Sequence, residues 1–415
     1  MQHQERSFAA GTRRVAVLGA GPAGLMAAET LALKGIPVTV FDGMPSAGRK
    51  FLMAGRGGLN LTHSEPLPTF LQRYGQAQEA LTPAIQAFPP EALLRWCEEL
   101  GEPVFVGSSG RVFPRAFKAS PLLRAWLRRL ADTQVDLRLR HRWCGFSEDG
   151  DLLFQTPEGP KVVAPSATIL ALGGGSWPRL GSDGQWTSHL QDIRVAPLRP
   201  SNMGFKVSWS SIFRDRFAGT PLKRIALQHR DRSWRGEAVI TQDGLEGGVI
   251  YAAAALMRGE IEQMGFTEVQ LDLRPDIPAA EVTKRVGAPR RGQSLSNHLR
   301  RTLSLPPVSI GLIQEALHGC GGERTLPDLV KACPLKLRGF QDLEHAISTA
   351  GGISFQEIDD GFMLRRRPGV FAAGEMLDWE APTGGYLLQA CFATGRAAAV
   401  GAAKWLNEHP APKPI

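Results

Sequence analysis

The sequence predicts an α/β protein built around a parallel sheet, with its chain interrupted by an inserted domain. Two observations place the sheet. Near the start, residues 14–18 (RVAVL) form a β-branched apolar run. Clustered glycines follow, then a helical segment ending at Gly35, then a second apolar run, 37–42 (PVTVFD). Strand, glycine turn, helix and strand make a parallel βαβ unit, because two parallel strands need a crossover between them. Near the end, residues 369–375 (GVFAAGE) read as a late strand delivering a glycine and an acid, with an apolar helix behind it. A third observation places the insertion. From about 194 to 345 the text changes to short strands and then to helices, before α/β text returns.

The remaining elements follow in order. Residues 1–12 are polar and read as a flexible arm. Residues 89–100 (PPEALLRWCEEL) have helical spacing, as do 121–130, where Leu122, Leu123, Trp126, Leu127 and Leu130 share one face. Residues 135–146 (VDLRLRHRWCGF) alternate like one strand, and 152–156 with 161–164 resemble a hairpin around Glu158-Gly159. Residues 167–175 (ATILALGGG) read as a buried strand running into glycines. Inside the insertion, 203–207, 223–228 and 237–241 suggest short strands, and 278–334 look helical. Strand text resumes at 345–350. The expected organisation is therefore 1–193 and 346–415 as two parts of one discontinuous domain, with 194–345 inserted.

Composition narrows the function classes. The 415 residues are 43% hydrophobic and 21% charged, the balance of a globular protein. The net charge of +8 reads first as an arginine-rich solvated surface. No zinc-finger or RNA-recognition signature appears, so nucleic acid is not the expected partner and a small molecule is. Five scattered cysteines, Cys97, Cys144, Cys320, Cys333 and Cys391, with no C-x-x-C, argue against a disulfide framework and for a reducing compartment. The N-terminus lacks a signal-peptide apolar core, and the apolar tract 387–406 is broken by Gln389, Arg396 and Lys404. A cytoplasmic protein without a membrane span is expected.

The chemistry sits in the glycines. Gly19-Ala20-Gly21-Pro22-Ala23-Gly24 fits G-x-G-x-x-G between a strand and a helix. Gly19 permits the tight turn, Gly21 lets the backbone approach a pyrophosphate, and Gly24 lets helix pack on strand. The helix N-terminus offers N–H groups to the phosphates. Asp42 closes the next strand, where a carboxylate would hydrogen-bond a ribose; taken alone it would be an ordinary strand-end turn residue. Gly48, Arg49 and Lys50, with Arg56, supply cations beside those phosphates, against the plainer reading of a soluble loop. Gly374-Glu375 follows the late strand. An acid so placed holds the ribityl chain in FAD enzymes of the glutathione-reductase-like group, so the order of elements selects FAD over NAD. Gly384, Gly385 and Tyr386 open the final helix, whose N-terminus is expected to face the flavin. Arg111, Phe113, Pro114 and Lys118 read equally well as a turn that fixes a helix to the domain. His63 and Tyr386 are the polar groups nearest the flavin in sequence order, but no catalytic constellation, metal-ligand cluster or nucleophile elbow can be assigned.

The segments VAVLGAGPAGLMAA, AGRKFLMAGRGGLNLT, GRVFPRAFKAS, ILALGGGSWPRLGSDG, STAGGI and FAAGEMLDWEAPTGGYLLQACFATG run in order along nearly the whole chain. In them the sequence resembles the BaiN-like (YhiN-type) FAD-dependent flavoproteins. The resemblance implies a glutathione-reductase-like FAD-binding Rossmann domain, discontinuous, carrying an inserted β-barrel and a small helical subdomain. It implies FAD contacts at Gly19, Gly21, Gly24, Asp42, Lys50, Asn60, Thr62, Gly173, Gly174, Gly374, Glu375, Gly385 and Tyr386. The family's usual G-G-G-R-C-N is Gly55-Arg56-Gly57-Gly58-Leu59-Asn60 here, Leu387 stands where Asn follows Gly-Gly-Tyr, and Gln242 replaces a His. Those departures mark a divergent branch. The expected activity is an FAD-dependent oxidoreductase passing a hydride through flavin N5, from NAD(P)H to an organic acceptor. No second G-x-G-x-x-G appears, so the nicotinamide is expected to bind transiently. The alternatives are a flavin-dependent RNA-modifying protein and a non-enzymatic flavin-binding partner protein.

Overall fold

The computed structural model describes residues 13–288, 292–319 and 324–410. The expected arm at 1–12 and Cys320 lie outside the described residues. The chain divides into two compact units, Met1–Pro200 with Ser348–Ile415, and Ser201–Ile347.

The first unit is built on five parallel strands: β1 (Val15–Leu18), β2 (Val38–Asp42), β3 (Asp136–Leu139), β4 (Ala167–Leu170) and β5 (Val370–Ala372). Their order is β5-β4-β1-β2-β3, with Val15 level with Val38 on one side and Ala167 on the other. β1 and β4 are buried at every position, as strands covered on both faces must be. α1 (Pro22–Ala32) is the crossover from β1 to β2. A short α2 (Arg49–Ala54) follows β2, and α3 (Pro90–Glu99) and α4 (Ala119–Asp132) fall where helical spacing predicts them. The final helix, α5 (Tyr386–Glu408), packs on α1, and half of its buried residues are alanines: Ala390, Ala393, Ala398, Ala399, Ala402 and Ala403.

The run 135–146 is not one strand. Arg140 adopts φ 58°, and the chain turns there from β3 into Arg142–Phe146. That second piece joins an antiparallel sheet with Leu152–Thr156 and Gly159–Val163. Alternation of side chains is the same in either sheet, so the pattern could not show the break.

The second unit is an antiparallel sheet, in the order Phe205–Lys206, Gly244–Glu246, Arg232–Ile240, Pro221–His229, Thr267–Asp272, Cys333–Leu337. The last strand returns to the first through a Phe205–Phe340 bridge and the Lys206 N–H bond to Gly339 O, which closes the sheet as a barrel. The helix Gly248–Met264, which the reading as short strands had not anticipated, packs on Arg232–Ile240, and a cluster of shorter helices covers 279–331. The unit begins at 201 rather than 194, because Val195–Ser201 pairs with Ser348–Ile353.

One buried charge ties three helices of the first unit together. Glu29 in α1 is 2% exposed. Its carboxylate accepts the indole N–H of Trp96 in α3 (3.0 Å) and of Trp126 in α4 (2.7 Å), and it pairs with Arg129 at 3.0 Å. An acid in this apolar helix is tolerated because both carboxylate oxygens have donors. Replacing Glu29 with Ala strands two indole donors and a half-buried guanidinium. We expect Glu29→Ala to destabilise the first unit by about 3 kcal/mol, read as a lower urea midpoint. An unchanged midpoint would show that the network contributes nothing.

Candidate functional site

Parallel strands put all their carboxyl ends at one edge of a sheet. Consecutive β1 and β2 lie on one side of that edge, and β4 and β5 on the other, so a crevice opens at the end of β1. The loops that leave β1, β2, β4 and β5 converge there, and a cleft with about 1270 Å³ of space between atoms, part of it open to solvent, lies among them.

Close backbone contact shapes its floor. Gly19 has φ 103°, and a Cβ there would sit 2.2 Å from Ala171 O. At Gly24 a Cβ would lie 1.9 Å from Gly19 O, so α1 can approach β1 only without a side chain. Gly21 is different. A Cβ there would meet no protein atom within 4 Å, and the residue lines the cleft as the N-cap of α1, with Pro22 at the first helical position. The first glycine and the third serve the fold, and the second leaves a cradle that a side chain would fill.

Asp42 ends β2 at the cleft. Its Oδ2 accepts the Ala20 N–H at 2.7 Å and its Oδ1 the Met44 N–H at 2.7 Å. Burial raises its pKa, and those two bonds and Arg49 offset the rise only in part. Each oxygen retains a lone pair for a sugar hydroxyl. Across the cleft, Lys50 Nζ donates to Ser176 Oγ at 2.6 Å and pairs with Glu375 Oε2 at 2.7 Å, while Glu375 Oε1 accepts the Thr349 N–H at 2.9 Å. Behind this pair, burial and then the Glu375 charge push the Cys391 thiol up to about 12.

Several buried polar atoms find no partner in the protein. Trp143 Nε1 and Ser182 Oγ belong to residues that line the cleft and are 7% and 5% exposed. Arg49 Nε is buried and unpaired, as is Thr62 Oγ1. A buried unpartnered donor or acceptor is costly, so such atoms mark where a ligand completes the bonding. The donor set suits a dinucleotide. There are cations and a helix N-terminus for phosphates, carboxylates for sugar hydroxyls, and a wall of Phe41, His141, Trp143 and Phe154 for a base. The residues present therefore fit FAD.

Of the residues singled out from sequence, Gly19, Gly21, Pro22, Ala23, Asp42, Gly48, Arg49, Lys50, Gly173 and Glu375 line the cleft together. Gly24, Gly174 and Gly374 lie behind the lining: a Cβ on Gly174 would meet Thr349 Oγ1 at 2.2 Å, and one on Gly374 would meet Ala23 Cβ at 2.8 Å. Asn60 Nδ2 donates to Thr62 O and Val112 O and holds its own loop. Gly385 has φ 94°, and a Cβ there would fall 2.4 Å from Thr62 Cα, so it seats the start of α5 against the short strand Thr62–His63, while a Cβ on Gly384 would meet the Tyr386 ring at 2.7 Å. The Tyr386 ring does not line the cleft. It packs on Phe70 at 4.8 Å and His63 at 5.7 Å, and its hydroxyl donates to Glu65 Oε1 at 2.7 Å. Burial first and Glu65 second raise its pKa. Burial pushes Glu65 up, but bonds from Arg73 and Tyr386 outweigh it, and the net shift is downward. Sequence reasoning missed Trp143, Ser182, His141 and Phe154. Ser182 lay inside the motif ILALGGGSWPRLGSDG, His141 and Trp143 lay inside the run 135–146 that was read as one strand, and Phe154 lay in the segment read as a hairpin.

These glycines make separable predictions. Gly21→Val should leave a folded chain that no longer takes up flavin, because its side chain fills the cradle. Gly24→Val should lower the melting temperature, because it drives α1 off β1. Thermal unfolding and flavin titration of both variants check this. A Gly21→Val protein that retains full flavin affinity would remove the cradle from the site.

The HI0933-like protein Rossmann domain matches residues 13–401. The 3-dehydro-bile acid delta(4,6)-reductase of Clostridium scindens is 24% identical, over 94% of this chain and 99% of its own. The ribosomal RNA dihydrouridine synthase of Haemophilus influenzae is 24% identical, over 92% and 97%. Among solved structures, the open conformation of a flavocytochrome c3 fumarate reductase superposes with a TM-score of 0.54 at 15% identity, over 97% of this chain and 79% of that one. The 3-ketosteroid-delta4-(5alpha)-dehydrogenase of Rhodococcus jostii RHA1 gives 0.51 at 15%, over 96% and 99%. At such identity the structural likeness is one of fold. Among the described residues no helix is long and apolar enough to cross a membrane. With the match spanning nearly the whole chain, and with a parallel sheet whose crevice carries the G-x-G-x-x-G cradle, this chain belongs to the HI0933-like Rossmann family.

Proposed function

We propose that the chain is an FAD-dependent oxidoreductase that takes hydride from NAD(P)H and reduces a carbon–carbon double bond conjugated to a carbonyl. The single observation that carries the cofactor is the cleft at the β1 carboxyl end, with its open cradle at Gly21 and the unpartnered Trp143 Nε1 and Ser182 Oγ in its lining. The acceptor class rests on the two relatives. Their names describe hydrogen added to a dienone and to the uracil ring, which share that conjugated bond. FAD, when bound, supplies hydride transfer at N5.

The chain's own residues bind and orient. The α1 N-terminus and Arg49 would hold the phosphates, Asp42 a ribose, and Glu375 the ribityl hydroxyls. Lys50 holds the Glu375 carboxylate in place through the 2.7 Å pair. The +8 net charge favours a second reading in which the acceptor base belongs to RNA.

Purified protein should carry close to one FAD per chain, identified by extraction against FAD and FMN standards. Anaerobic mixing with NADH and NADPH in turn should bleach the flavin, and conjugated enones should restore its colour. A colourless protein that takes up no FAD sinks the reading. Lys50→Met leaves Glu375 with no cation, and we expect flavin affinity to fall roughly 10- to 100-fold, the weight of a charged hydrogen bond. Isothermal titration of apoprotein with FAD measures it, and unchanged affinity would remove the Lys50–Glu375 pair from the site.

A further inference from the structure

One wall of the cleft comes from outside the parallel sheet. The strand Arg142–Phe146 follows the turn at Arg140. It is tied to the end of β2 by the His141 N–H bond to Asp42 O (2.9 Å) and the Arg140 N–H bond to Met44 O (3.1 Å). Across from it runs the loop 176–190, which follows the glycines after β4. Strand and loop both carry residues that line the cleft.

Backbone geometry brings the loop to the end of β2. Trp177, Gly181 and Gly184 have φ of 62°, 97° and 69°, so the chain reverses sharply within a few residues. A Cβ on Gly181 would stand 2.6 Å from Met44 Cγ, so the loop rests on the residue whose N–H bonds to Asp42. Further along, the Trp186 indole N–H donates to Gly173 O at 2.9 Å and anchors the loop at its base.

A single side chain then joins loop to strand by hydrogen bonds. Arg142 Nη2 donates to Asp183 Oδ2 at 2.8 Å and to Gln185 Oε1 at 2.6 Å. Among the described residues no other side-chain hydrogen bond links the two. Asp183 is aimed by the Gln185 N–H, which its Oδ1 accepts at 3.1 Å. Arg142 itself lies against Gly43, the residue after Asp42, where a Cβ would be 3.6 Å from Arg142 Cβ. Beside this junction the His189 ring meets Trp143 edge-on at 5.1 Å. Burial first and the Arg142 charge second lower the His189 pKa, so at neutral pH the ring is uncharged and packs as an aromatic. The two unpartnered atoms of the cleft lining, Trp143 Nε1 and Ser182 Oγ, come one from the strand and one from the loop.

We propose that Arg142, Asp183 and Gln185 form a clasp that closes the cleft over the adenosine end of FAD and sets how slowly the cofactor leaves. The inference rests on the flavoprotein reading above and names positioning residues of the same site. Asp42 marks the ribose of that end, and the clasp stands next to it. The flavin end is served by Lys50 and Glu375 across the cleft, so the clasp discriminates FAD from FMN, which lacks the adenosine. The Arg142 side chain is 52% exposed and that of Asp183 25%. An ion pair so open to water is weak and screened by salt, which suits a junction that must part to admit a ligand better than one that holds the fold.

The test uses the full FAD-loaded chain. Release is started by dilution and read as the rise in flavin fluorescence. At low salt, Arg142→Met should release FAD roughly three- to fivefold faster than wild type, the weight of one exposed ion pair. In ~1 M salt, where the Debye length is about 3 Å, the gap should narrow to under about twofold. Asp183→Asn should also speed release, and the double variant should be no faster than Arg142→Met alone, because both changes remove one interaction. FMN should bind the wild-type and Arg142→Met apoproteins equally. Wild-type release from Arg142→Met, a gap undiminished by salt, or a matching loss of FMN affinity overturns the clasp. Protein that is yellow but releases FAD at an unchanged rate refutes the clasp alone, whereas a chain that never takes up FAD refutes the cofactor reading and the clasp with it.

Discussion

The site depends on one contact, the packing of Gly24 against the carbonyl of Gly19. A Cβ at Gly24 would stand 1.9 Å from that oxygen. Because none is present, α1 begins directly over the end of β1 and aims its first free N–H groups into the crevice. Gly19 in turn lies too close to Ala171 O for a side chain, which draws the loop after β4 to the same edge. The Asp42 carboxylate fixes the third wall by accepting one N–H from each side, Ala20 and Met44. Three loops from three strands are thus held by backbone contacts before any side chain meets a ligand.

The opposite wall is electrostatic and spans the interruption in the chain. Lys50 and Glu375 lie 325 residues apart in sequence, yet Nζ and Oε2 are 2.7 Å apart. The insertion can be carried between the two parts because β5 returns beside β4 in parallel register, Thr168 level with Val370. The half-buried pair orients the Glu375 carboxylate, with the Thr349 N–H on its other oxygen. A carboxylate held from both sides keeps one direction in which to accept a hydroxyl.

The polar atoms without partners at the cleft contrast with buried networks elsewhere in the first unit that are satisfied internally. Glu29 is buried among three donors, and the Tyr386 hydroxyl is buried with Glu65, itself held by Arg73. Against that background, Trp143 Nε1 and Ser182 Oγ at the cleft are exceptions that a ligand would resolve.

The sequence alone determined the parts whose physics is local. A β-branched run, a glycine turn and a helix specify the βαβ unit, so Gly19, Gly21, Asp42 and Lys50 could be named without coordinates. Tertiary structure decided what depends on distant neighbours. Period-two alternation is blind to which sheet a strand joins, so only the fold split 135–146 at Arg140 and brought Trp143 to the cleft. The polar end of Tyr386 gave no hint that Glu65 would claim its hydroxyl and turn the ring away. Gly385 had a role in the sequence as a helix opener, but its approach to Thr62 exists only once β5 and α5 have returned across the insertion.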